Sequence, residues 1–275
     1  MNSIRNRQNL IAACAVFAVV FHITTKSTMV WAAESEVTNI MIKNFSISRV
    51  EDSVFEATFT LVSKQGNERI RKTVGSTKLQ PNGLDQMRIT RFISPPDVKG
   101  TSTLVVERAE KDDDIWIYLP ALKKVRRLVS NNKKDSFLGT DFSYADVIGY
   151  PVSNWSYSLV REEAVDGEAC YVISAVPKTD IVKTDSGYSK RVDWVRKSNF
   201  VTVKSEFWDE SGQPLKTATF GDIRMVDQKA GKWQAMRLEA NNTQTGHRTV
   251  IQFDSFKVNQ KVDEQIFTTR HMEKQ

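Results

Sequence analysis

The chain is poor in the residues that usually carry chemistry: its 275 residues include 3 histidines and 2 cysteines. Metal centres built on imidazole and thiolate need several such side chains at suitable spacing. Here His247 stands alone in "TQTGHRTV" and His271 lies five residues from the end of the sequence. A Ser-His-Asp or Cys-His nucleophile would have to recruit His247, which reads as a turn entering a strand. Asp112-Asp113-Asp114 lack the alternating oxygen ligands and the following Gly and Glu of a calcium loop. There is no phosphate loop, and no GxGxxG follows a strand. Two carboxylates brought together by folding are the one catalytic arrangement a sequence does not exclude, so a secreted hydrolase stays open as a minor reading. These absences favour a binding protein over an enzyme, with no catalytic residue, metal or cofactor expected.

A membrane-spanning hydrophobic run is also missing. The apolar run Leu10 to Phe21 holds about a dozen residues, short of the roughly 20 that cross a bilayer. Arg5 and Arg7 precede it, and the small residues Ala32 and Ala33 stand just before Glu34, the order of a secretory signal peptide. Residues 1–33 are therefore expected to be removed, leaving 34–275 as one domain. Ile11-Ala12-Ala13-Cys14 has the look of a lipoprotein cleavage box, yet the apolar run continues past Cys14. The leader carries Arg5, Arg7 and Lys26 and no acid, so its loss lowers the net charge from +6 to +3. Nucleic-acid binding thereby loses its compositional support. Cys170 then remains alone, and no intrachain disulfide can form.

What is present is β pattern. From residue 50 onward, period-2 segments rich in β-branched and aromatic residues alternate with Gly, Pro, Asn and Asp. "FEATFTLV" places Phe55, Ala57, Phe59 and Leu61 on one face. Similar runs recur as "DQMRITRFI", "ACYVISAVP", "YSKRVDWVR" and "TVIQFDSFKV". About eleven strands at hairpin spacing argue for one antiparallel sheet or barrel rather than βαβ units. Helical signals are few: residues 34–44, the stretch "GTDFSYADVIG" with Thr140 and Asp141 as candidate caps, and a short element at Val262 to Phe267.

The segment "WIYLPALKKVRRL" (116–128) reads as a hairpin. Trp116 and Tyr118 share one face of a strand, Pro120 ends it, and Lys123, Lys124, Arg126 and Arg127 follow. The cations are mostly the solvated side of that hairpin, and a basic face toward anionic lipid or a partner is the functional alternative. Several strands, notably Ile115 to Leu119 and Tyr171 to Val176, are apolar on both faces. Such residues either fill a sandwich core or wall a ligand cavity inside a curved sheet, and pattern alone leaves both open.

Several blocks together carry a family resemblance. "RFISPPDVKGTSTLVVE", "DDDIWIYLPALKKVRRL", "KKDSFLGTDFSYADV", "YSKRVDWVRKSNFVTVKSEFWDESGQPLKT" and "VNQKVDEQIFTTRHMEK" resemble the outer membrane lipoprotein-sorting-protein-like family, relatives of the periplasmic carrier LolA. The resemblance implies a mainly β fold, one strongly curved antiparallel sheet forming an incomplete barrel with short helices as a lid. It implies a periplasmic carrier that takes acyl chains of a lipoprotein or lipid toward the outer membrane, with transient membrane contact and no nucleic acid. By analogy Phe142 and Tyr144 belong to the lid, and Phe55, Phe59, Ile89, Leu104, Trp116 and Tyr118 to the cavity wall. The blocks match the broader LolA-like group better than dedicated lipoprotein carriers. Members of that group accompany inner-membrane RND-type transporters, which implies such a partner. The rival is a periplasmic adaptor subunit that docks to an exporter through Lys123–Arg127 and carries no lipid.

Overall fold

A computed structural model describes residues 35–108, 111–128 and 133–274. The leader read into residues 1–33, Cys14 included, lies outside the described residues.

The period-2 segments form two meanders. The first runs β1 (Asp52–Val62), β2 (Glu68–Leu79), β3 (Gln86–Ser94), β4 (Ser102–Val106), β5 (Asp114–Leu119) and β6 (Lys124–Leu128). The second runs β7 (Trp155–Val165), β8 (Glu168–Pro177), β9 (Tyr188–Arg196), β10 (Thr202–Asp209), β11 (Pro214–Asp227), β12 (Lys232–Asn242) and β13 (Arg248–Val258). Antiparallel pairing of β1 with β13 fuses them into one sheet of 13 strands, ordered β6-β5-β4-β3-β2-β1-β13-β12-β11-β10-β9-β8-β7. The count exceeds the expected eleven because short runs such as β4 and β6, five residues each, still find a full hydrogen-bonding neighbour. β6 and β7 are the two edges, so the sheet does not close.

The sheet buries apolar side chains on both faces. Phe55, Phe59, Phe92, Ile115, Phe207 and Ile251, from strands far apart in the sheet, join a single cluster, which requires the sheet to curl around them. Helix α1 (35–47) drops Val37, Ile40 and Met41 into that cluster at the i, i+3, i+4 spacing of an amphipathic helix. Helix α2 (Tyr144–Ile148) adds Tyr144 and Ile148. Its cap is Ser143 rather than Thr140 or Asp141: the Ser143 hydroxyl accepts from Asp146 N and the Asp146 carboxylate accepts from Ser143 N, a capping box. The Thr140 hydroxyl instead donates to Phe137 O at 2.7 Å. Helix α3 (Asp180–Ser186) sits between β8 and β9 and ends in Gly187 with φ 78°.

The opposite face of β3–β5 has its own cover. The C-terminal segment, a 3-10 turn at Glu264–Ile266 followed by helix α4 (Thr269–Glu273), packs Val262, Phe267 and Met272 against Met87, Ile89, Leu104 and Tyr118.

One glycine makes room for an aromatic ring between the central strands. Gly75 on β2 lies opposite Phe55 on β1 and Thr90 on β3. A Cβ there would run into Phe55 Cζ and come within 2.6 Å of Ile89 O, so the ring occupies the space a side chain would need. Replacing Gly75 with Ala should destabilise the protein by about 1–3 kcal/mol, the usual cost of overpacking. Combining it with Phe55→Leu should recover part of the loss. A denaturant midpoint unchanged by Gly75→Ala would contradict the close approach.

Candidate functional site

Between the curled sheet and its helices lies a cavity of about 350 Å³. Its floor is largely aromatic: Phe55 and Phe59 come from β1, Phe207 from β10, Phe220 from β11, Phe253 and Phe256 from β13. Strict alternation would put Phe253 and Phe256 on opposite faces. A bulge resolves this, because Glu56 pairs with Ser255 and Ala57 with Phe253, leaving Asp254 as the extra residue. Both rings therefore point inward, with centroids 5.5 Å apart, and Phe253 meets Phe55 edge-on at 5.4 Å. The roof consists of α1, through Met41 and Phe45, and of the β6–β7 connection, through Phe137, Phe142 and Ile148.

The roof is tied down by polar bonds. Asp146 is the hub: its carboxylate accepts from Lys216 Nζ at 2.5 Å, from Tyr188 Oη at 3.1 Å, from Ser143 N at 2.7 Å and from the Tyr150 hydroxyl. Lys216 also donates to Asp141 O at 2.8 Å. Both charges are almost wholly buried, at 4% and 8% side-chain exposure. Burial pushes the Asp146 carboxyl up, but the adjacent Lys216 ammonium and the bonds from Tyr150 and Ser143 outweigh it and hold it below the ordinary carboxylate range. Farther along the lid, Asp141 meets His247 Nδ1 at 2.6 Å and accepts from Thr249 Oγ1 at 2.7 Å, and Arg71 donates to Leu138 O at 2.6 Å. Helix α1 is held by Asn44 Nδ2, which donates to Phe200 O at 2.7 Å. Where the two roof elements meet, Arg49 pairs with Glu107 at 2.6 Å and donates to Leu84 O at 2.6 Å and Ile148 O at 3.4 Å.

A second buried pair lines the wall. Arg191 Nε lies 3.1 Å from Asp193 Oδ2, and its guanidinium stacks over Tyr150 at 4.0 Å. Ser205 Oγ donates to Asp193 Oδ1 at 2.6 Å. Cys170, a free thiol, is buried in a separate cluster behind β8–β10.

The residues singled out in the sequence divide by face. Phe55, Phe59 and Phe142 line the cavity. Tyr144 is buried in the lid against Phe137, ring centroids 5.4 Å apart. Ile89, Leu104, Trp116 and Tyr118 do not line it: they point to the opposite face and pack under the C-terminal segment. Period-2 alternation fixes which residues share a face but not which face looks inward, and that was the missing information. Lys123, Lys124, Arg126 and Arg127 are all exposed, along edge strand β6 and the turn before it. They do not form one patch, since Arg127 shares a face with Trp116 and bonds Asp114 at 2.5 Å while Lys124 and Arg126 point the other way. Charged side chains on an edge strand also discourage edge-to-edge pairing. Sequence reading missed Phe207, Phe220, Phe253 and Phe256. The Phe-x-x-Phe spacing of "QFDSFKV", out of step with period 2, was the available signal.

A curled antiparallel half-barrel, roofed by helices over an apolar hollow, defines the class as LolA-like. A family model described as an uncharacterized protein matches residues 84–274. A Vibrio parahaemolyticus domain named for outer membrane lipoprotein sorting is 26% identical with a TM-score of 0.79, over 87% of this chain and 99% of its own. A DUF1329 family protein from Desulfovibrio piger is 27% identical with a TM-score of 0.80, over 87% and 99%. A LolA superfamily protein from Nitrosomonas europaea, 21% identical over 86% and 98%, shares the fold with a TM-score of 0.65. No curated protein matches the chain. The chain belongs to the outer membrane lipoprotein-sorting-protein-like family.

The lid hub makes a pH prediction. A carboxyl depressed in the folded state stabilises it fully above the unfolded pKa of about 3.9, and that contribution is lost as pH falls through the lower folded value. Lys216→Met, which strands the Asp146 charge, should cost about 3–5 kcal/mol near pH 7. The gap between variant and wild type should shrink as pH falls, starting where the variant's stranded Asp146, pushed up by burial, takes up its proton and ending below the wild type's depressed value. Denaturant titrations across that range measure it, and a gap that stays constant would contradict the hub.

Proposed function

We propose that the protein is a periplasmic carrier that shields acyl chains of a lipoprotein or lipid in this cavity and moves them toward the outer membrane. The observation that carries this reading is an aromatic-floored hollow under a roof fastened by polar bonds. An apolar cavity of about 150 Å³ is enough to take up benzene, so 350 Å³ offers a hydrocarbon segment more than twice that room. Each methylene buried is worth about 0.8 kcal/mol, so a short stretch of chain provides useful affinity.

Phe137, Phe142 and Ile148 enter the hollow from the roof and occupy space that cargo would take. Loading then displaces them, which keeps affinity moderate and transfer reversible. An export leader in residues 1–33 and a relative named for lipoprotein sorting support the compartment and the role. An inner-membrane RND-type transporter is the partner this reading favours. Lys123, Lys124 and Arg126, exposed on an edge of the sheet, suit transient contact with an anionic membrane or that transporter. The second reading, an exporter adaptor carrying no lipid, draws on the same exposed edge.

Phe142→Asp should reduce uptake of a fluorescent fatty acid at least tenfold. Trp116→Asp, on the far face, should leave uptake of folded protein near wild type. Native mass spectrometry of the protein taken from the periplasm should find co-purifying lipid. Unchanged uptake in Phe142→Asp together with a lipid-free native spectrum would favour the adaptor.

A further inference from the structure

The charged groups of the cavity are paired, with one exception. Lys216 is met by Asp146, Arg191 by Asp193, and Arg49 by Glu107. Arg88 also lines the cavity, yet it makes no hydrogen bond or ion pair with any described residue. The acid whose charge acts on it, Glu107, is already engaged: Glu107 Oε2 accepts from Arg49 Nη1 at 2.6 Å and from Gln86 N at 3.1 Å.

Arg88 is not a surface cation that happens to lack a partner. It sits in the middle of the first meander on β3, directly opposite Thr77 of β2 and Val105 of β4. On the same face of β3, Gln86 and Thr90 flank it at i−2 and i+2, and both are buried. Thr77 adds a hydroxyl, held by Ser53 at 2.7 Å. The wall therefore carries a small polar field around one guanidinium, in a hollow whose floor is largely aromatic. Burial pulls the Arg88 pKa down, opposed by Glu107, so its charge is held there at a cost in solvation. Burial likewise pushes the Glu107 carboxyl up, opposed by Arg49 and Arg88. A guanidinium in a partly dry site is matched best by a planar or tetrahedral oxyanion that takes two of its N–H groups at once.

Resting on the carrier reading above, we propose that the cargo is an acyl lipid bearing an oxyanion, a carboxylate or a phosphate, which Arg88 binds while the chain lies over the aromatic floor. Thr77, Gln86 and Thr90 provide further polar contacts for that head. Neutral acyl lipids fit the hollow but leave Arg88 without a partner, so Arg88 selects for charge.

The test uses displacement of a fluorescent fatty-acid probe from the purified protein by matched competitors. Palmitic acid is compared with hexadecanol, and phosphatidylglycerol with diacylglycerol, on wild type, Arg88→Met and Arg88→Lys. The wild type should prefer at least one anionic member of a pair by tenfold or more, and the pair that shows it identifies carboxylate or phosphate as the head. Arg88→Met should bring that ratio close to one by weakening the anion alone, and Arg88→Lys should restore most of it. Equal binding of charged and neutral members by wild type, or a preference that survives in Arg88→Met, overturns the role of Arg88 and leaves the carrier intact. Failure of wild type to bind any of the four removes the carrier reading itself.

Discussion

The pairing of β1 with β13 decides the rest of the architecture. Because the first and last strands meet in the middle of the sheet, its two free edges are β6 and β7, which are consecutive in the sequence. The single connection between them must travel from one edge to the other. A curled sheet with an apolar inner face leaves that connection a favourable route across the mouth, where its own apolar residues are buried. The lid is thus a consequence of strand order. Phe137, Phe142, Tyr144 and Ile148 all lie on this one connection.

Given a lid that must cross, its position is set by charge. Lys216 rises from β11 and Tyr188 from β9, and both converge on Asp146. A buried ion pair adds little net stability compared with an apolar pair of the same shape, because desolvation offsets the attraction. What it provides here is geometry: an aromatic roof over an aromatic floor could slide, whereas a hub with four donors accepts one placement. The Arg49 cluster does the same for α1, tying it to Glu107 and to the end of α2 at Ile148 O. Apolar contacts hold the roof closed and polar contacts fix where it sits.

The strands and the all-antiparallel order were legible because period-2 alternation and turn residues are local signals. "FEATFTLV" became β1 with the inward set Phe55, Ala57, Phe59 and Leu61 as read. The family blocks gave the curl and the lid. The inward side of β3–β5 was not legible, because β5 is apolar on both faces and β3 turns its more apolar face, Met87 and Ile89, outward while Gln86, Arg88 and Thr90 face the cavity. Only the C-terminal segment, more than 140 residues later in the chain, explains why Ile89, Leu104, Trp116 and Tyr118 point outward. The cap of α2 was misjudged for a related reason. Thr140, Asp141 and Ser143 all have capping side chains, and the choice fell to Ser143 because Thr249 and His247 on the second meander take Asp141. Long-range partners made both decisions, and no local pattern carries them.

The same two-sided burial bears on how the cavity can work. The first meander is clamped between two apolar layers, the lid inside and the C-terminal segment outside, with Gly75 letting Phe55 press against β2. That half of the sheet has little freedom to breathe without exposing one layer or the other. The second meander ends in edge strand β7, much of it exposed, and its hold on the lid runs through Lys216, Tyr188 and Thr249. Opening therefore has a preferred side. Releasing Asp146 and Asp141 frees the β6–β7 connection from the second meander, while Arg71, Arg49 and Glu107 keep their bonds on the first. Arg88 stands on the rigid side. On the carrier reading, a head group fixed there would stay in place while the chain side opens, so a lipid would enter head-first and leave tail-first.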